Sequence, residues 1–204
     1  MNPYIYTSLS PEVRHITSKD RAFIPLVERI ERIVVPIESD HFKFLSHTIL
    51  SQQLSSRVAE ILIDRFMTLM KGDVRPEAIL RARHEDLKGI GLSSSKIDYL
   101  RSLSEAVTTE SLDLRGLGLL PDEQVIQKLV EIRGIGRWTA EMFLMFALGR
   151  EDVFSVRDLG LRNAVKRIYR NDRLSEQEIE DISRKWKPYR SVAAHYLWHV
   201  WDFE

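Results

Sequence analysis

Leu129-Val130-Glu131-Ile132-Arg133-Gly134-Ile135-Gly136-Arg137-Trp138-Thr139-Ala140-Glu141-Met142-Phe143 reads as an amphipathic helix, a tight Gly-Ile-Gly hairpin and a second helix. Glycines on either side of one aliphatic residue permit backbone angles that a Cβ forbids. They also clear the hairpin tip, so backbone N–H groups opening the second helix can face an anion. Gly-x-Gly before a helix also opens dinucleotide-binding folds. There, however, it follows a strand and runs on to a third glycine. Here Val125, Ile126, Leu129 and Val130 have helical spacing, and position 139 is threonine. A plain helix–helix turn is the bland alternative.

Working outward, Asp158 follows the hairpin in Val153-Phe154-Ser155-Val156-Arg157-Asp158-Leu159-Gly160. Upstream, Leu87-Lys88-Gly89-Ile90-Gly91-Leu92-Ser93 repeats the Gly-Ile-Gly phrase 45 residues earlier. From Arg133 to Arg170 eight basic residues stand against four acidic ones, a local excess of the kind phosphate binding requires. A solvated face of scattered ion pairs explains that excess about equally well.

The whole chain gives no such bias, because 30 basic and 30 acidic residues cancel. Its 204 residues suffice for one domain or two small lobes with a sizeable core. Without cysteine, disulfides, thiolate zinc sites, a catalytic thiol and cysteine-ligated iron–sulfur clusters are excluded. No apolar run approaches the roughly 20 residues needed to cross a bilayer. Met1-Asn2-Pro3-Tyr4 lacks the basic and apolar regions of a signal peptide, so the expected setting is intracellular: cytoplasm and nucleoid, or a nucleus.

Taken in order, residues 1 to 19 read as irregular, with a short helix start at Ser10-Pro11-Glu12. Asp20 to Val35 has helical spacing, closed by Pro36. Asp40 caps a helix ending in Ser51-Gln52-Gln53-Leu54, and Ser55 or Ser56 caps the next. Helices are also expected at Pro76–Leu80, Ser93–Thr108 and, from a Ser175/Glu178 capping box, after residue 175. No segment shows β alternation, so the fold class is all-α.

Ile49-Leu50-Ser51-Gln52-Gln53-Leu54-Ser55, the hairpin, Trp138-Thr139-Ala140, Asp152-Val153-Phe154, Asp158 and Trp186-x-Pro188-Tyr189-Arg190 together resemble the helix-hairpin-helix DNA glycosylases. Within that superfamily the match is to the 3-methyladenine DNA glycosylase II, or alkylbase, family, over roughly residues 20 to 204. The resemblance implies two helical lobes with the active cleft between them. Residues 40–152 would carry the hairpin, and 1–39 with 153–204 would form the second lobe. It implies a monomer acting on double-stranded DNA with damaged bases, in base excision repair and away from membranes.

Residue by residue, the resemblance makes Asp158 the catalytic acid. An alkylated purine is a cationic leaving group, and its departure leaves a sugar cation like that of glycoside hydrolysis. One preorganised carboxylate beside that cation is the chemistry needed. Capping the following helix is the bland role for Asp158, and the two are compatible, since a helix N-terminus favours an anion. Superfamily members that also cut the backbone carry a Schiff-base lysine where this chain has Trp138. The implied enzyme is therefore a monofunctional hydrolase of N-glycosyl bonds that leaves an abasic site.

Trp138 and Trp198 are candidates for the base pocket, where aromatic faces attract a cationic base. Met142 stands where some relatives have tyrosine, and Leu159 sits beside the acid. DNA contact is expected from Gly134, Ile135, Gly136, Arg137 and Thr139, and from the wedge corner Gln52, Gln53 and Leu54, with Gln53 as inserter. The resemblance implies a sodium or potassium ion on the Ile132 and Ile135 carbonyls, although no cofactor is required for the chemistry. His195 and His199 share a helix face, but without a third ligand they read as packed or surface residues. Trp186 reads as core. The alternatives are a non-catalytic helix-hairpin-helix DNA-binding module, which needs neither Asp158 nor Trp138, and a glycosylase for ethenoadenine or hypoxanthine.

Overall fold

The computed structural model describes residues 3–201, without the Trp201 side chain. Met1 and Asn2, part of the stretch expected to be irregular, lie outside the described residues. The chain runs β1 (Tyr4–Tyr6), α1 (Pro11–Lys19), α2 (Ile24–Arg29), β2 (Ile33–Val35), α3 (His41–Ser51) and α4 (Ser56–Leu69). It continues with α5 (Pro76–Arg81), α6 (His84–Gly89), α7 (Ser94–Thr108), α8 (Asp122–Val130) and α9 (Arg137–Phe146). It closes with α10 (Leu159–Ile168), α11 (Glu176–Ser183) and α12 (Arg190–Trp198). The fold is helical as expected, with two corrections. Residues 1–19, expected to be irregular beyond a short helix start, hold the strand β1 and the nine-residue helix α1. The helix expected from Asp20 to Val35 is a 3-10 turn at Arg21–Phe23, the short α2, and then a strand.

That strand pairs antiparallel with β1 in the register Tyr4–Val35, Ile5–Val34 and Tyr6–Ile33. Ile33 and Val35 are buried while Val34 faces solvent, a period of two hidden in an all-apolar triplet. The β-branched residues fit a pleated surface, and their partner strand lies too far along the chain for local spacing to reveal.

The chain separates into two compact units, Glu38–Phe143 and the two end segments Met1–Ile37 with Leu144–Glu204. The expected second boundary, at 152, moves into α9. Leu144, Met145 and Ala147 are buried, and Phe146 packs its ring on His195 and Trp198 of the end segments.

In the middle unit α3 lies against α4 and α7, and α5 packs along α7, burying Leu45, Ile49, Phe66, Ile79, Ile97 and Leu100 completely. The helix starts follow from local chemistry. Asp40 accepts the Lys43 N–H, Ser93 accepts the Lys96 N–H, and Pro76 opens α5 where its missing N–H costs nothing.

In the end unit the two chain segments are joined through buried Asp20. Its carboxylate accepts the Tyr169 hydroxyl at 2.6 Å and the Trp186 indole N–H at 2.8 Å. The Tyr169 phenol is correspondingly pushed up, first by burial and then by that carboxylate. Arg190 grips Asp152 through Nε at 2.7 Å and Nη2 at 3.2 Å, fixing the start of α12. Trp186 is wholly buried between Phe23 and Phe154, so its core reading holds.

Candidate functional site

The hairpin is assembled by its two glycines in different ways. Gly134 has φ +92°, and a Cβ there would lie 2.1 Å from Cγ of Tyr99 on α7. It is therefore required by both backbone and packing. A Cβ on Gly136 would meet nothing within 4 Å, so this glycine leaves the hairpin tip open. Ile135 between them is buried and anchors the turn. The Gly136 carbonyl accepts the Ala140 N–H at 3.1 Å, the first rung of α9. N–H groups ahead of that rung, those of Arg137 and Thr139 among them, have no carbonyl within the helix.

Side chains expected to contact DNA are placed unevenly. Arg137 is committed to protein carboxylates, with both Nη atoms 3.0 Å from Glu123 and Nε 2.9 Å from Glu141. Thr139 is buried. What the hairpin presents is backbone. Elsewhere in the expected basic stretch, Arg133 pairs with Asp98 and Arg162 with Glu176. Lys166 and Arg170 line an open groove of about 540 Å³ along the second half of α10.

The corner Gln52-Gln53-Leu54 divides into a half-buried part and an exposed one. Gln52 is part-buried and donates from Nε2 to the Gly134 carbonyl at 2.9 Å. It braces the hairpin. Gln53 is exposed and sits at φ +59°, a conformation rare for a residue with a side chain. Leu54 beside it is also exposed.

This corner and the hairpin share a cavity of about 450 Å³ with Ser93, Lys96 and Tyr99. Ser93 and Lys96, just after the first Gly-Ile-Gly phrase, thus line one cavity with the second phrase. Lys96 donates to the Leu50 carbonyl at 2.6 Å, and desolvation pushes its amine down. Sequence reading missed Lys96 and Tyr99; the signal was the repeated phrase, which places Lys96 three residues after the cap Ser93.

In the end unit Asp158 is the N-cap of α10, and its Oδ1 accepts the Leu161 N–H at 2.8 Å. The same oxygen receives a long hydrogen bond, 3.4 Å, from the Trp198 indole N–H. Trp198 is stacked on Phe146 at 5.7 Å and tilted against His195 at 5.6 Å. His195 is buried, and burial, with His199 adding to it, pushes its pKa down to about 4. Its ring packs on Tyr6 and Phe146, the bland role expected of it.

Leu159, at the first position of α10, is 61% exposed, and Trp138 on α9 is 38% exposed. Met142 lies one turn beyond Trp138 on the same helix face and is buried. The described residues hold no cluster of three His, Cys, Asp or Glu side chains suited to a metal. Among the described residues no helix is long and apolar enough to cross a membrane.

A helix-hairpin-helix with a backbone-lined tip, followed by a helix-capping carboxylate, defines a helix-hairpin-helix DNA repair protein. The family model for HhH-GPD superfamily base excision DNA repair proteins matches residues 46–188. The chain belongs to that superfamily.

Four matches place it further. DNA-3-methyladenine glycosylase 1 of Schizosaccharomyces pombe is 31% identical over 201 residues, covering 95% of this chain and 88% of the relative. A solved structure of a 3-methyladenine DNA glycosylase from that yeast, in complex with abasic DNA, superposes with TM-score 0.82 over 93% of this chain and 96% of the other, at 31% identity. A DNA-3-methyladenine glycosidase from Bacillus halodurans superposes with TM-score 0.86 at 36% identity, over 96% of this chain and 91% of the other. The Bacillus subtilis protein YfjP is 34% identical over 178 residues, which are 82% of this chain and 62% of that relative's length.

Proposed function

We propose that the chain is a monofunctional DNA glycosylase that hydrolyses the N-glycosidic bond of alkylated purines, of the 3-methyladenine and 7-methylguanine type, in damaged double-stranded DNA. Likeness to glycosylases named for 3-methyladenine supports the substrate class. The observation that carries the chemistry is Asp158, a carboxylate fixed by the Leu161 amide and the Trp198 indole.

The steps follow from what these residues can do. Backbone N–H groups at the start of α9 hold a phosphate, and Gln53 with Leu54 fills the space the flipped nucleotide leaves. Trp138, Met142, Trp198 and Leu159 are the residues offered to the base. The C1′–N bond breaks with its electron pair going to the cationic base, which leaves neutral. Asp158 stabilises the sugar cation and orients water, whose oxygen bonds C1′ while its proton passes to the carboxylate and then to solvent. Trp138 offers no amine, so the abasic product stays unbroken.

A sodium or potassium ion at the Ile132 and Ile135 carbonyls belongs to the same proposal. The Ile132 oxygen accepts the Ile135 N–H at 3.0 Å, which engages one of its two lone pairs. When bound, the ion adds positive charge beside the phosphate. The protein acts as a monomer inside the cell.

The test is release of free bases from methylated duplex DNA. Release of 3-methyladenine and 7-methylguanine supports the proposal. Tight duplex binding with no base released would leave a binding module instead, and release confined to ethenoadenine or hypoxanthine would move the substrate class.

A further inference from the structure

Gly160 stands at the second position of α10 with a φ outside the left-handed region, so no backbone constraint calls for glycine there. Glycine inside a helix destabilises it relative to alanine. What a side chain would meet is specific. A Cβ at 160 would lie 3.1 Å from Asp158 Oδ1, 3.7 Å from Trp198 Cδ1 and 3.9 Å from Trp198 Nε1. It would thus sit against the hydrogen bond between the indole and the carboxylate.

Such a Cβ would touch Trp198 at ordinary van der Waals distance but would crowd Asp158 Oδ1, which must give by a few tenths of an ångström. Oδ1 of Asp158 is held at 2.8 Å by the Leu161 amide. The Trp198 ring is backed by Phe146 at 5.7 Å and by buried His195 at 5.6 Å, and His195 is itself stacked on Tyr6. Close-packed aromatic groups of this kind transmit a displacement instead of absorbing it.

We infer that Gly160 is a positioning residue for base excision: its missing side chain lets the Trp198 N–H reach Asp158, and that pair sets the carboxylate for the sugar cation. The inference rests on the glycosylase reading and deepens it. The volume of one methyl group separates an aligned carboxylate from a displaced one. Misplacement of a catalytic group by a fraction of an ångström to an ångström lowers rates by on the order of ten- to a hundred-fold.

The experiment compares the full chain with Gly160→Ala, Trp198→Phe and the double variant. Each is measured for melting temperature, affinity for an abasic-site duplex, and single-turnover release of 3-methyladenine from methylated DNA. Gly160→Ala is expected to keep or raise the melting temperature, because alanine is the better helix former. Its duplex affinity should stay within about two-fold while excision slows by about ten-fold or more. Trp198→Phe keeps a ring but lacks the N–H donor. If Gly160 acts through that donor, the double variant is no slower than Trp198→Phe alone.

Native-rate excision by Gly160→Ala would overturn the inference, as would rate losses that multiply in the double variant. A lowered melting temperature with excision falling in step would assign the glycine to the fold and overturn it as well. Failure of the unsubstituted protein to release any base would instead overturn the glycosylase reading on which the inference rests.

Discussion

The side-chain amide of Gln52 donates to the backbone carbonyl of Gly134 across 82 positions of sequence, at 2.9 Å. One end of the Gln52-Gln53-Leu54 corner is thereby fastened to the Gly-Ile-Gly hairpin. Losing a hydrogen bond of this kind costs about 1 kcal/mol. Gln52→Ala is therefore expected to lower the melting temperature slightly and weaken duplex affinity several-fold in a fluorescence titration. Gln52→Glu should be worse, since a carboxylate cannot donate to the carbonyl. A Gln52→Ala protein binding DNA as tightly as the native one would show the hairpin to be self-supporting.

The two hairpin glycines should fail differently. Gly134→Ala forces a Cβ into Tyr99 at a φ that disfavours it, so a loss of roughly 3 kcal/mol or more of stability is expected, read from the urea midpoint. Gly136 faces open space, so Gly136→Asp should fold normally yet bind duplex DNA poorly through added repulsion. Its residual binding should fall steeply with salt, as counterion release dictates. Native affinity in a folded Gly136→Asp variant would remove the hairpin from the interface.

Asp158→Asn can still cap α10, so the melting temperature should change little. It loses the anion that faces the sugar cation. Single-turnover excision should fall on the order of 10²- to 10³-fold. Binding of the same lesion-bearing duplex should persist or tighten. Native-rate excision would reduce Asp158 to a helix cap.

Trp138 predicts the product. Borohydride should trap no covalent enzyme–DNA adduct, and the abasic strand should break only after heat or alkali. An efficient adduct, detected as a gel-shifted band, would contradict the monofunctional reading.

His195 ties stability to pH. Its folded pKa, about 4, lies below the ordinary 6.5 because burial penalises the charged ring. Between those values the unfolded chain takes up a proton that the folded one does not. Stability therefore falls as pH drops from about 6.5 to about 4 and levels off below, by up to roughly 3 kcal/mol. Burial of His47 acts with the same sign. Urea midpoints at pH 7 and pH 5 measure the slope, and His195→Phe should flatten it. An unchanged slope in that variant would place the proton uptake elsewhere.

Much of this architecture could be read from residue order alone. Helix starts at Asp40, Pro76, Ser93 and Ser175 were legible because capping is local chemistry. The hairpin and Asp158 were legible for the same reason. What stayed hidden depends on groups far apart in the chain. The Ile33–Val35 strand needs Tyr4–Tyr6 to exist, and the division of labour between Gln52 and Gln53 needs Gly134 to be near. Arg137 looked like a phosphate ligand until Glu123, on the preceding helix, was found holding it. Gly160 gave no sign at all, since the space it leaves is visible only once Trp198 has come back to α10.

The two hydrogen bonds that Asp20 accepts constrain how the end unit can be made. Its two partners, Tyr169 and Trp186, lie 149 and 166 positions downstream. A ribosome working from the N-terminus presents Asp20 early and must then deliver the entire hairpin unit before either partner emerges. The two hydrogen bonds that bury this carboxylate can thus form only after the middle unit has been synthesised.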